Sequence, residues 1–181
     1  MLSKIWLLPL LFAVLIGPTI GNAFAAFDSY LKIEGIDGEA SAENHKGEIE
    51  ISSWSWGVSN SGSMAAGGGG GAGKASFSDF HITKTLDKSS PKLMEAVATG
   101  EHLKSLTLRK SGGNQQEYYI IHLSDILISS YSTSSGSGDR PIEEVSFTYQ
   151  KIEFEYIPQN ADGTAGAAIK VGYDVKANVK I

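Results

Sequence analysis

Four histidines, His45, His81, His102 and His122, are the first residues to weigh for chemistry, because imidazole serves both as a metal ligand and as a general base near neutral pH. Their spacing offers neither HxxxH nor another helical pairing that would hold two of them on one metal, so each reads as a solvent-facing or hydrogen-bonded structural histidine. Asp79 with Glu95, or Asp125 with Glu143, would act as acid and base only if the fold brought each pair together. No GxSxG elbow supports a serine nucleophile. The run Gly68 to Ala75 nearly matches the phosphate-cradling GxxxxGK[ST], but Ala75 lacks the hydroxyl that would hold magnesium. The residues after it alternate like a strand where the motif needs a helix N-terminus. That run is a glycine loop. Trp54 and Trp56, two apart on a strand, point the same way; they form a packed core or subunit contact, or else a platform for stacking a sugar. The packed reading is preferred, because aromatics dominate burial energetics. No catalytic residue, metal or cofactor is expected.

The elements that would position these residues belong to a chain of 181 residues, 41% hydrophobic and 19% charged, enough for one packed domain. Its opening holds one cation, Lys4, then an apolar run from Ile5 to Ile16, and closes on Ala23-Phe24-Ala25, a small-x-small cleavage pattern. Residues 1–25 therefore read as a secretory signal peptide cut between Ala25 and Ala26, and 26–181 as the mature domain. The apolar run is too short for the ~20 residues that span a bilayer, so no stable membrane insertion is expected. Removing 25 residues, Lys4 among them, leaves 156 residues with 14 basic against 20 acidic and a net charge of -6. That balance argues against nucleic acid, which is held by clustered Lys and Arg. Zero cysteines exclude disulfides, Fe–S clusters, thiolate zinc and cysteine nucleophiles.

Strand patterns dominate. Ile169, Val171, Tyr173, Val175, Ala177, Val179 and Ile181 alternate with polar residues or glycine, which predicts one long strand with a buried and a wet face. Val145 to Tyr156 alternates as well, but its apolar phase moves from odd to even positions, which predicts a bulge near Gln150-Lys151. Ile49 and Ile51 slip in the same way against Trp54 and Trp56 across Ser52-Ser53. Strands that bend midway suit a curved, barrel-like sheet. Further strands are expected at Tyr30 to Ile36, Ala75 to Thr85, His102 to Lys110 and Glu117 to Ser130.

One helix is predicted, capped by Ser90, with Pro91 in its first turn, an apolar stripe of Leu93, Met94, Val97 and Ala98, and a stop at Gly100. Ser59 to Gly73 and Ser129 to Asp139 lack periodicity and read as loops, the first long enough to be functional or disordered.

Taken together, Asp28-Ser29-Tyr30-Leu31-Lys32-Ile33-Glu34-Gly35-Ile36-Asp37-Gly38-Glu39, His45-Lys46-Gly47 and Trp54-Ser55-Trp56-Gly57-Val58-Ser59 resemble the Hcp family, the tube protein of type VI secretion systems. Leu86-Asp87-Lys88-Ser89-Ser90-Pro91-Lys92-Leu93 is similar to that family's junction before its helix, and Val145 to Ile152 to its late strand. The resemblance covers essentially the whole mature chain. It implies a bent two-sheet β-barrel with one short helix, a homo-hexameric ring, rings stacking into a hollow tube, and effector cargo in the lumen. It also implies that the loop of Ser59, Asn60, Ser61, Met64, Ala65, Ala66, Gly67 and Gly73 reaches the neighbouring ring.

The expectation is thus a structural, non-enzymatic, ring-forming protein exported by the Sec route to the periplasm or outside the cell. Tube proteins of these systems load from the cytoplasm without a cleaved signal, so one alternative is a type VI tube and effector carrier translated from nearer Phe27. Another is a secreted carbohydrate-binding β-sandwich, which would expose Trp54 and Trp56. A hydrolase would instead show converging carboxylates in a pocket.

Overall fold

The computed structural model describes residues 28–62, 73–112 and 116–181. The described elements run β1 (Ser29–Ile33), β2 (Ile49–Ile51), β3 (Ser53–Ser55), β4 (Val58–Asn60), β5 (Ala75–Phe77), β6 (Phe80–Thr85), α1 (Ser90–Thr99), β7 (His102–Ser111), β8 (Glu117–Ser134), β9 (Ile142–Tyr156), β10 (Ile169–Asp174) and β11 (Val179–Lys180), with a single 3-10 turn at Glu43–His45. The protein is mainly β with one short helix, as the sequence predicts. Nine strands form one sheet in the order β11-β10-β9-β8-β7-β1-β2, with β6 against β9 and β3 against β6, while β4 and β5 pair separately.

A crease crosses the three central strands. The inward side chains are Leu103 and then Leu106 and Leu108 in β7, Ile121 and Leu123 and then Ile126 and Ile128 in β8, and Val145 and Phe147 and then Ile152 in β9. All three strands change phase at one level, between the pairs Ser105↔Ser124↔Lys151 and Leu103↔Ile126↔Tyr149. Asp125, at the middle of that line, lies at φ 53, a left-handed backbone that re-aims every later side chain. The phase change expected at Gln150-Lys151 is therefore present, but its cause is different. The β8–β9 register runs through it without an inserted residue, and the true slip lies between Ile128 and Ser130 of β8.

On one side of the crease β9 carries β10, through residues 151–156; on the other it carries β6, through residues 142–147. The strand expected to slip at Ser52-Ser53 does so, pairing β1 with its first half and β6 with its second. The Ser52 amide donates to Thr83 O at 2.8 Å at the break. These ends are joined by chain rather than by a ladder, so the sheet is open and the expected closed barrel is not formed by hydrogen bonding.

Four further expectations are corrected. The apolar stripe of α1 is Leu93 and Ala96 with Val97 beside them, while Met94 is 52% exposed and Ala98 is also exposed. Ser90 is not the N-cap: that position is Ser89, with no side-chain cap bond, because the Ser90 hydroxyl is drawn into a buried polar cluster. Gly100 ends the helix at φ 67, as predicted. β8 continues to Ser134, so the loop expected from Ser129 begins later. The C-terminal strand is a hairpin turned at residues 175–178, with Asn178 at φ 58, and the apolar face expected to be buried is largely exposed.

Candidate functional site

The long loop stands on an ordered stem. β4 and β5 pair Val58 with Phe77, Ser59 with Ser76 and Asn60 with Ala75, so Ser59 and Asn60 are strand residues rather than loop. Above them the Asn60 side chain donates to Gly73 O at 2.9 Å and accepts from the Gly62 amide at 2.9 Å. The stem is closed tightly at Gly73, where a Cβ would stand 3.0 Å from Gly62 N and from Ser61 C. Met64, Ala65, Ala66 and Gly67 of the expected stacking loop lie outside the described residues, as do Ala23, Ala25 and Ala26 of the expected cleavage site.

Beneath this stem runs an aromatic seam. Trp54 stacks on Phe80 at 6.2 Å and on Tyr119 at 5.0 Å, and the Trp56 ring nitrogen donates to Tyr119 OH at 3.2 Å. Both indoles are half-buried and packed against the core. Trp54 is thus stacked between Phe80 and Tyr119, while Trp56 turns toward a groove, so the two rings do not form one shared platform for a sugar. Beside the seam a groove of about 410 Å³ is lined by Trp56, Val58, Phe77, Ile152, Phe154 and Val171, with Tyr173 and Lys180 at its rim. The exposed C-terminal hairpin forms its far wall. The alternation in that hairpin predicts a single strand with one buried face. Its turn signal was Asp174 with Asn178, two residues suited to tight turns.

The helix end of the molecule is pinned by charge. Lys84 and Glu143 are both fully buried, with Nζ 2.7 Å from Oε2. Lys84 Nζ also donates to Thr85 O at 2.8 Å and Ser90 Oγ at 3.1 Å, and lies 2.8 Å from Asp87 Oδ1. Glu143 accepts from Ser90 Oγ at 2.8 Å and Tyr131 OH at 2.5 Å. Burial alone would raise the Glu143 pKa, but the hydrogen bonds from Lys84, Tyr131 and Ser90, with the Lys84 charge, outweigh it and hold the carboxyl below its usual range. No reading of motifs singled out Lys84, yet it stands in phase with the inward Phe80 and Ile82, as Glu143 does with Val145 and Phe147.

Two tyrosines, one in this cluster and one beside Asp79, set an alkaline limit. Burial first, then the hydrogen bond and charge of Glu143, push Tyr131 up to about 12, and burial with the Asp79 charge does the same for Tyr149. Both phenols stay neutral in the folded protein at a pH where the unfolded chain would ionise them at about 10. Their contribution is complete below pH 10 and is lost as pH rises through 12. Phenolate absorbance is expected to show these two tyrosines ionising last, with unfolding. Tyr131→Phe should flatten the stability loss in that window.

The residues first weighed for chemistry are dispersed. His45 is buried between Glu48 (3.0 Å), Ser111 (3.1 Å) and the stacked ring of Tyr30 (4.1 Å). His81 meets Ser146 and His122 meets Thr107, while His102 is exposed. Asp79 accepts from Ser129 and Glu95 sits by Lys92. Glu143 pairs across to Thr133, eight residues along β8 from Asp125, or ~26 Å at 3.3 Å per residue. Among the described residues no group of three His, Cys, Asp or Glu is placed to hold a metal, and no helix is long and apolar enough to cross a membrane.

An open creased sheet, one pinned helix and a loop on an ordered stem define a mainly β domain of one packed core. Residues 30–156 match the family model of the type VI secretion system effector Hcp, and the chain belongs to that family. Protein hcp1 of Pseudomonas aeruginosa is 48% identical over 160 residues, covering 86% of this chain and 99% of that protein. Among solved structures, that of a type six secretion system protein superposes with a TM-score of 0.81 at 34% identity, covering 86% of this chain and 100% of the other. Hcp1 from Salmonella typhimurium does so with a TM-score of 0.73 at 34% identity, covering 86% and 99%.

Proposed function

We propose that this chain is the structural subunit of a secretion tube: six copies close into a ring, and rings stack into a hollow tube with room for effector cargo. The observation that carries the reading is the 48% identity to Hcp1 across 99% of that relative. The creased sheet, with Ser52 bridging its two ends, supplies the curved, barrel-like wall such a subunit needs. The stem at Val58–Phe77 presents the loop of Ser59 to Gly73 for the adjoining ring.

Residues 1–25 are proposed as a Sec signal that is removed, delivering the domain 26–181 to the periplasm or the medium. In support, Lys4, the apolar run from Ile5 to Ile16 and Ala23-Phe24-Ala25 stand in the order that an export signal needs.

The test is mass and electron microscopy of the secreted protein. A species near six times the subunit mass, with an N-terminus at Ala26, is expected; monomer at every concentration would remove the ring reading, and retained Met1 would favour loading from the cytoplasm. Replacing residues 61–73 by a short turn should leave single rings intact, since a loop so rich in glycine has little apolar surface to bury. Stacking should be lost. Tubes of wild-type length in the shortened variant would show that the loop does not join rings.

A further inference from the structure

The C-terminal hairpin is apolar on both faces, an unusual state for a sheet edge. Ile169, Val171 and Tyr173 share the face of Tyr156, Phe154 and Ile152, with which they pair in that order. Val179 and Ile181 lie on the other face, beside Gly172, whose missing side chain makes room for them: a Cβ there would stand 2.8 Å from Ile181 Cγ1. Ile169, Val171, Val179 and Ile181 are 62%, 54%, 51% and 52% exposed, with Val58 across the groove at 54%. A strand apolar on both faces is one that is covered on both sides, and exposed apolar area of this kind marks an interaction surface. One cover is the protein's own sheet.

The charges say what the other cover is. Residues 169–181 carry Lys170, Lys176 and Lys180 against the side chain of Asp174; Lys170 is paired with Glu155 at 2.7 Å, but two such hairpins facing each other would still oppose Lys176 and Lys180 to their own copies. At the opposite end of the fifteen-residue β9 is a notch lined by Glu39, Glu50, Asp87 and Arg140; Asp87 is already paired with Lys84, which leaves Glu39 and Glu50 as the carboxylates open to a partner. Beside it stand the exposed apolar side chains of Leu86 and Ile142, 41% and 47% open. Leu86 is held there by its amide bond to Pro141 O and by Arg140 donating to its carbonyl.

We propose that the hairpin face of one copy docks on the Leu86–Ile142 notch of the next copy. Leu86 and Ile142 enter the groove between Val58 and Val171, and Lys176 and Lys180 meet Glu39 and Glu50. Joining two different patches at opposite ends of the molecule is heterologous, the kind of contact that closes rings when its rotation allows. This rests on the ring reading above and assigns its two faces.

The test measures oligomer mass against concentration for the purified protein and four variants, with circular dichroism as a folding control. Val171→Asp, on an exposed edge, should stay folded and raise the concentration for half-assembly at least ~10-fold. Lys180→Glu and Glu50→Lys should each weaken assembly, more so at low salt, and the two reversals in one chain should restore it. Wild type that forms rings alongside a Val171→Asp variant that assembles equally well would overturn this assignment and leave the ring reading standing. So would charge reversals whose losses add instead of compensating. A wild type that is monomeric throughout overturns both.

Discussion

Glu143→Ala is expected to cost about 3–5 kcal/mol of folding stability, the range for removing one partner of a buried ion pair. Lys84, which has no exposure to water, would lose its 2.7 Å carboxylate partner. Asp87, the Thr85 carbonyl and the Ser90 hydroxyl remain beside the ammonium, with Asp87 as its one remaining carboxylate. Tyr131 OH and Ser90 Oγ lose their acceptor in the same step. Against a total of ~5–15 kcal/mol for an ordinary domain, such a loss is large. Lys84→Met with Glu143→Leu, which removes both charges at similar volume, should recover most of it, since apolar replacement of a whole buried pair is often neutral. Denaturant titration of dilute protein, where assembly adds nothing, is the measurement. Equal losses in the single and double variants would mean that packing, rather than charge, holds this end of the fold.

Phe80→Ala should produce the second large effect, again about 3–5 kcal/mol. Phe80 has no exposed surface and lies between Trp54 at 6.2 Å and Phe147 at 6.5 Å, so its removal leaves a cavity under the seam that carries the β4–β5 stem. Assembly stabilises only the folded state, by mass action. The variant's melting temperature should therefore rise with protein concentration more steeply than that of Leu86→Ala, a substitution at an exposed side chain. Thermal melts across a concentration series read this directly, and a concentration-independent melt would show that the folded variant no longer associates.

Much of this protein is legible without its fold. Alternating apolar residues announce the strands because a pleated chain turns successive side chains to opposite faces, and each sequence-level phase slip has a counterpart in the structure. Pro91 and Gly100 bracket the helix for local backbone reasons. The family resemblance, carried by the residues from Asp28 to Ser59 and from Leu86 to Leu93, agrees with a match that spans residues 30–156.

What the tertiary structure alone decided concerns partners distant in sequence. Periodicity located the phase change at Gln150, but only pairing across β7, β8 and β9 shows it as a single crease centred on the left-handed Asp125. Ser90 has the side chain of an N-cap, and local rules assign it that role. A glutamate 53 residues away claims its hydroxyl instead. The alternation from Ile169 to Ile181 says that one face avoids water, which is a property of side chains; whether the cover is the same chain or another copy is a property of how much surface the fold has left over. Here β10 and β11 sit at the sheet's edge with their apolar residues in solvent. A one-dimensional pattern records the need for burial, and only three-dimensional packing shows that one subunit does not meet it.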